Sequence, residues 1–195
     1  MYLSVWLSPL GLIRLASDGE AITGLWFEDR VQGREGSAPE EFPKGMTLTP
    51  RGGVSNVDFC EAPLTADLFD MSQRCPVFAE TGEWLAAFFS GCCPDFCPPV
   101  RTHGTPFCEL IWRLLPEIPY GETRTYGEIA GEASKRSGRR VSARAVGNAV
   151  GRNPVLLLIP CHRVIGADGQ LTGYAGGLER KRELLQLEQK NVGLR

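Results

Sequence analysis

No apolar run in this chain approaches the roughly 20 uncharged residues needed to cross a bilayer. The opening stretch, Met1–Leu15, is broken by Pro9 and Gly11. No membrane span is predicted, and with neither a basic n-region nor a cleavage-site pattern at the N-terminus a cytoplasmic location is expected. Histidine is scarce, two in 195 residues. His103 is the only other soft ligand near Cys92, Cys93 and Cys97, whose adjacent thiols do not match the spacing that favours tetrahedral zinc, so no metal is expected. The seven cysteines (60, 75, 92, 93, 97, 108 and 161) are odd in number and read as free thiols in a reducing setting. Net charge is only −2, which alone argues against a polyanion partner.

That balance conceals an asymmetry. Residues 1–100 hold 6 Lys/Arg against 14 Asp/Glu, and residues 101–195 hold 15 against 9. The basic residues crowd into Lys135, Arg136, Arg139, Arg140, Arg144 and Arg152, a footprint for phosphates or, in the plainer reading, a solvated loop. An apolar fraction of 43% is ample for a packed core.

Apolar segments at 2–7, 12–16 and 21–27 around Ser8-Pro9-Leu10-Gly11 predict a small antiparallel meander. Residues 31–57 read as a long loop, Thr81–Ser90 as an amphipathic helix ended by Gly91, and Cys92–Pro99 as a linker. A helix is expected from Pro106 to about Pro116. Thr125, with Glu128 three residues on, predicts a capping box opening a helix over Tyr126–Ala133. A basic loop follows, then a helix over Ala143–Val150 opened by Ser142, and the pair has the form of a helix-turn-helix. A last helix is expected over roughly Leu178–Lys190.

The chemistry concentrates at Pro160-Cys161-His162-Arg163-Val164, behind the run Val155–Ile159. Five aliphatic residues between two prolines predict a buried strand that delivers Cys161 at its end. A free thiol has a pKa near about 8.5, and cationic or hydrogen-bonding neighbours raise its thiolate fraction. His162 and Arg163 are candidates for that role, although adjacent strand residues face opposite sides, so His162 need not touch the sulfur and a water can bridge them. Glu179, Glu183 and Glu188 are candidates to orient the imidazole. Gly173-Tyr174-Ala175-Gly176-Gly177 lacks the context of a phosphate cradle and reads as a close-approach loop.

These motifs, with Ile118-Pro119-Tyr120-Gly121, Thr125–Ala130, Arg144–Ala149 and Asn153-Pro154, resemble the methylated-DNA–protein-cysteine methyltransferases (O6-alkylguanine-DNA alkyltransferases) closely over about residues 104–188. The resemblance implies an N-terminal α/β domain, ribonuclease-H-like, over 1–98, with a small mostly antiparallel sheet, a helix and the loop 31–57. It implies an α-helical C-terminal domain over 99–195 with a winged-helix-like helix-turn-helix. Cys161 would accept an alkyl group from O6 of a guanine flipped out of double-stranded DNA, once per molecule, with no cofactor and as a monomer; O4-alkylthymine is a further candidate substrate. His162 would deprotonate Cys161 through a water, Glu188 orient His162, Asn153 shape the turn, and Tyr126 donate toward the base. Arg144 would fill the vacated stack, Tyr174 line the pocket, and Val164, Ala175, Arg163, Ala143 and Gly147 complete the substrate and DNA contacts. Ala175-Gly176-Gly177 suggests tolerance of alkyl groups larger than methyl. Cys108 stands where many members have glutamine, and the loop Lys135–Val141 is longer and more basic than in short members.

Three other functions fit the sequence less well. A non-catalytic lesion-binding protein of the same fold would have replaced the acceptor cysteine. A methylation-responsive regulator would need an extra zinc-bound N-terminal module, and a thiol hydrolase an oxyanion hole that no motif suggests.

Overall fold

The apolar segments of the first 28 residues fold as three antiparallel strands, β1 (Tyr2–Ser8), β2 (Gly11–Ser17) and β3 (Ile22–Phe27), in the order β1-β2-β3. Leu15 pairs with Leu25 and Ile13 with Phe27, and all four are buried. The computed structural model describes residues 1–28, 47–48, 54–55 and 75–192. The expectation of a long loop over 31–57 falls outside these residues except at β4 (Thr47–Leu48) and β5 (Val54–Ser55), which pair antiparallel.

Helix α1 spans Pro76–Phe89, starting five residues before the expected Thr81. Pro76 suits the first turn, where its missing N–H costs nothing, and the added turn buries Val77 and Phe78. Trp6 of β1 stacks on Phe89 at 5.6 Å.

The outer edge of β3 is closed by two segments from the second half of the chain. Ile22 donates to the Pro99 carbonyl (2.7 Å) and accepts from Arg101 N–H (2.9 Å), while Leu25 donates to Pro154 (3.0 Å) and accepts from Leu156 (2.9 Å). An open strand edge is thereby satisfied without a fourth strand.

Helix α2 (Pro106–Leu114) runs into a 3₁₀ turn, Leu115–Glu117. Helix α3 (Tyr126–Ser137) begins with the expected capping box, Thr125 Oγ1 accepting from Glu128 N–H and the Glu128 carboxylate accepting from Thr125 N–H. It corrects the expected end at Ala133. Lys135 and Arg136 belong to its last turn, paired with Glu132, and Arg136 also forms a two-point pair with Glu117 at 2.7 Å. Helix α4 (Ala143–Val150) is capped by Ser142 Oγ. Trp112 Nε1 of α2 donates to its Ala149 carbonyl at 2.9 Å.

The run Val155–Ile159 is not a strand. Only Val155 bridges, to Leu25. The chain then turns back, Leu158 N–H donating to Leu156 O (2.8 Å) about a Leu157 with φ of 69°. That geometry is a γ-turn of the rare, strained kind. Asn153 explains it: Nδ2 donates to Ile159 O (2.8 Å) and Oδ1 accepts from Val155 N–H (3.0 Å), so one side chain pins both ends of the turn. The next residues form a 3₁₀ turn, Cys161–Arg163, then β7 (Val164–Ile165), parallel to β6 (Arg124–Thr125). Helix α5 spans Leu178–Val192. Among the described residues no helix is long and apolar enough to cross a membrane.

Leu25, fully buried where sheet and turn meet, is expected to lose about 2–5 kcal/mol on Leu25→Ala, read as a lower urea midpoint with unchanged slope. Leu7→Ala, at a residue 66% exposed, should change stability by less than about 0.5 kcal/mol.

Candidate active site

Cys161 is a buried thiol outside any disulfide, on the 3₁₀ turn that follows the Asn153-clamped loop. The turn corrects the expectation that neighbouring side chains alternate across a strand. Its amide donates to Ile159 O (2.7 Å) across Pro160, whose φ of −79° and ψ of 61° make an inverse γ-turn. Two successive tight turns therefore fix the backbone that carries Cys161.

Of the three glutamates offered by α5, the structure selects Glu188, which is fully buried. Its carboxylate accepts from His162 Nε2 (2.8 Å), from Arg163 Nε (3.0 Å) and Nη2 (3.0 Å), and from the Gly121 amide (2.9 Å). Burial alone would raise its pKa; the hydrogen bonds and charges of His162 and Arg163 outweigh that and hold it at about 2. A carboxylate can only accept, so the Nε2 that meets it carries the proton. His162 is itself wholly buried, and burial, with the Arg163 and Lys181 charges, lowers its pKa against the opposing pull of Glu188. The imidazole is thus neutral at physiological pH, with a bare Nδ1 that is buried and has no hydrogen-bond partner among the described residues.

Arg163 corrects the expectation of a substrate or DNA contact. Its guanidinium faces inward, spent on Glu188 and on Ile118 O at 2.7 Å, and is 8% exposed. Val164 is fully buried in β7, and Ala175 is buried too. Asn153 is buried, with both ends of its amide bonded to the backbone of the turn.

Sequence reasoning missed Lys181. It is fully buried, and its Nζ donates to the carbonyls of Val164 (2.6 Å), Thr172 (2.9 Å) and Gly173 (3.3 Å). Burial lowers its pKa to about 8, with the Cys161 charge acting to raise it, so the cation lies within electrostatic reach of the thiol. Within Arg180-Lys181-Arg182 it looks like part of a solvated cluster. The available signal was its helical register, three residues before Leu184 and seven before Glu188, both buried. Tyr126 lies against this cation, 6.0 Å from Nζ to ring centroid, and its hydroxyl donates to Thr172 O (3.0 Å). Burial, and then the charge on Cys161, raises the phenol pKa and keeps it a donor. Tyr174 packs edge-on to His162 at 6.3 Å.

Helix α4 presents Ala143 and Arg144 to solvent, while a methyl at Gly147 would lie 3.7 Å from the Tyr126 ring. The exposed Arg144 therefore lies on the helix that packs against Tyr126. Arg139, Arg140 and Arg152 are exposed. Among the described residues no three His, Cys, Asp or Glu side chains are grouped to hold a metal ion.

The Glu188 carboxylate contributes stability above about pH 4.5 that is lost as pH falls toward 2. His162, depressed below 6.5, acts in the same direction, because the unfolded chain takes up that proton first. Glu188→Gln leaves Arg163 buried without a counter-charge and should cost about 3–5 kcal/mol at pH 7. The deficit should shrink between pH 4.5 and 2, measured by denaturant unfolding across pH; a deficit constant over that window would contradict the assignment.

The chain matches the family described as 6-O-methylguanine DNA methyltransferase, DNA binding domain, over residues 106–190. It is 39% identical over 188 residues to the methylated-DNA–protein-cysteine methyltransferase of Methanosarcina acetivorans, covering 96% of this chain and 98% of that protein. Identity to the Mycobacterium leprae protein of the same name is 50% over 185 residues, covering 95% and 90%. The crystal structure of Mycobacterium tuberculosis OGT in complex with DNA is similar at a TM-score of 0.68 and 35% identity, over 97% of this chain and 93% of that one. Similarity at this level over nearly the whole length, joined to the site just described, places the chain in the methylated-DNA–protein-cysteine methyltransferase family.

Proposed function

We propose that the protein repairs O6-alkylguanine in double-stranded DNA by moving the alkyl group to Cys161 Sγ, once per molecule, as a cytoplasmic monomer. The observation that carries this reading is the buried Cys161 thiol, outside any disulfide, next in the chain to an imidazole whose Nε2–H is held by Glu188 and whose Nδ1 remains available as a base.

The thiol proton passes to His162 Nδ1, directly or through one water, leaving a thiolate near the Lys181 cation and an imidazolium against Glu188. Sγ attacks the alkyl carbon, the S–C bond forms, and the C–O6 bond breaks with its electron pair retained by the guanine. Tyr126, turned from Thr172 O toward the base, supplies a proton to the guanine as that charge develops. The product is a thioether, and no group at this site is suited to cleave it. Because O6 is stacked within a duplex, the nucleotide must leave the helix, at a cost of a few kcal/mol. Arg144 on the solvent face of α4 supports the role of filling the gap, and Ala143 and Gly147 leave room for close approach to the minor groove. A protein that only marks lesions is not favoured, because the acceptor thiol and its base are both in place.

Mixing the protein with a duplex containing one O6-methylguanine should add one methylene to its intact mass, saturating at one per molecule and absent in Cys161→Ala. Lesion binding without mass gain would overturn the transfer reading. Arg139 and Arg140 follow the left-handed Gly138 that ends α3, where neither is taken up by the ion pairs that occupy Arg136. If they contact phosphates, Arg139→Ala with Arg140→Ala should reduce the slope of log affinity against log salt by about 2, and an unchanged slope would remove them from the interface.

A further inference from the structure

The loop Thr172–Gly176 brings Tyr174 beside His162, and two consecutive side chains of α5 hold its ends. Lys181 takes the carbonyls of Thr172 and Gly173. Arg180 takes the other end, Nη1 donating to Gly176 O at 3.1 Å. The same guanidinium reaches across to the N-terminal sheet, with Nε donating to Leu10 O in the β1–β2 turn at 2.7 Å and Cζ 4.6 Å from the Phe27 ring centroid.

Little slack remains around this junction. A Cβ at Gly176 would lie 2.6 Å from Tyr174 Cε1 and 2.9 Å from Phe27 Cδ2, so the loop backbone rests directly on both rings. Gly11, whose φ of +114° already favours glycine, would place a Cβ 3.1 Å from Arg180 Nη2. The β1–β2 turn is itself tied by Ser8, whose Oγ donates to Gly11 O (2.6 Å) and accepts from Leu10 N–H (3.1 Å). A rigid turn, a planar fork and a loop carbonyl thus form one connected path from the sheet to the wall beside the imidazole.

We propose that Arg180 is a positioning residue that fixes the Tyr174–Gly176 wall against the N-terminal sheet and thereby limits which alkyl groups the thiol pocket accepts. The proposal rests on the alkyl-transfer reading above. The planar guanidinium suits the task because its separate N–H groups point along fixed directions to two carbonyls while its face covers Phe27. Releasing the wall loosens the placement of a small alkyl carbon more than that of a bulky one, which fills the enlarged space itself.

The test compares single-turnover rates at saturating duplex carrying O6-methylguanine or O6-benzylguanine for the wild type, Arg180→Ala and Arg180→Lys, with duplex affinity and melting temperature measured alongside. Arg180→Ala should slow methyl transfer about tenfold and benzyl transfer less, raising the benzyl-to-methyl ratio severalfold without changing duplex affinity. Arg180→Lys should recover part of the shift. Should Arg180→Ala fail to fold, Arg180→Lys carries the same comparison with a smaller shift. A purely structural role would lower both rates with the folded fraction, and an unchanged ratio in folded variants overturns the proposal. No transfer by the wild type would overturn the functional reading beneath it, so the two failures are distinct.

Discussion

A carboxylate removed from water costs several kcal/mol unless its lone pairs are fully occupied, and Glu188 meets that condition with a guanidinium, an imidazole and a backbone amide. The single group ties together three parts of the chain: α5, which carries it, the 3₁₀ turn of His162 and Arg163, and the Tyr120-Gly121 turn that leads into α3. Arg163 neutralises its charge, which allows His162 to remain an uncharged base. Lys181, about two turns earlier on the same helix, places a cation near the thiol. When the proton moves from Cys161 to His162 the net charge of the cluster does not change, and each new charge finds a partner already present.

The same economy governs the backbone. Cys161 follows two successive γ-turns, one of them strained, a conformation that persists only where the surroundings over-determine it. Asn153 supplies two hydrogen bonds across the turn, and β3 supplies two more through Leu25. The N-terminal sheet is therefore part of the support of Cys161, beneath the turn through β3, and of the Tyr174–Gly176 loop through the β1–β2 turn and Arg180.

Much of this organisation was legible in the residues. Apolar segments around Ser8–Gly11 identified the meander, Thr125 and Glu128 the capping box, and Ser142 the start of α4, because caps, turns and short apolar runs are local signals. The Cys-His pair with a glutamate from the last helix was legible as chemistry, although spacing left three glutamates open and the resemblance was needed to point to Glu188. Val155–Ile159 misled because five buried aliphatics satisfy a strand and a buried turn equally well, and the choice between them is made by the Asn153 clamp. Arg163 misled because a cation next to a thiol in sequence turned inward to a partner 25 residues away. Lys181 and Arg180 were hidden in a basic run whose members differ only in which face of α5 they occupy.

The most direct test of the account is the protonation state of His162, read from the nitrogen-15 shifts of a labelled sample. The chain has only one other histidine, the exposed His103, so a His103→Gln variant completes the assignment. The account predicts a neutral ring protonated at Nε2 and bare at Nδ1 throughout pH 6.5–8, with the Nε2 proton held against Glu188. An imidazolium at pH 7, or a neutral ring with its proton on Nδ1, would contradict it, because the thiol would then have no base beside it.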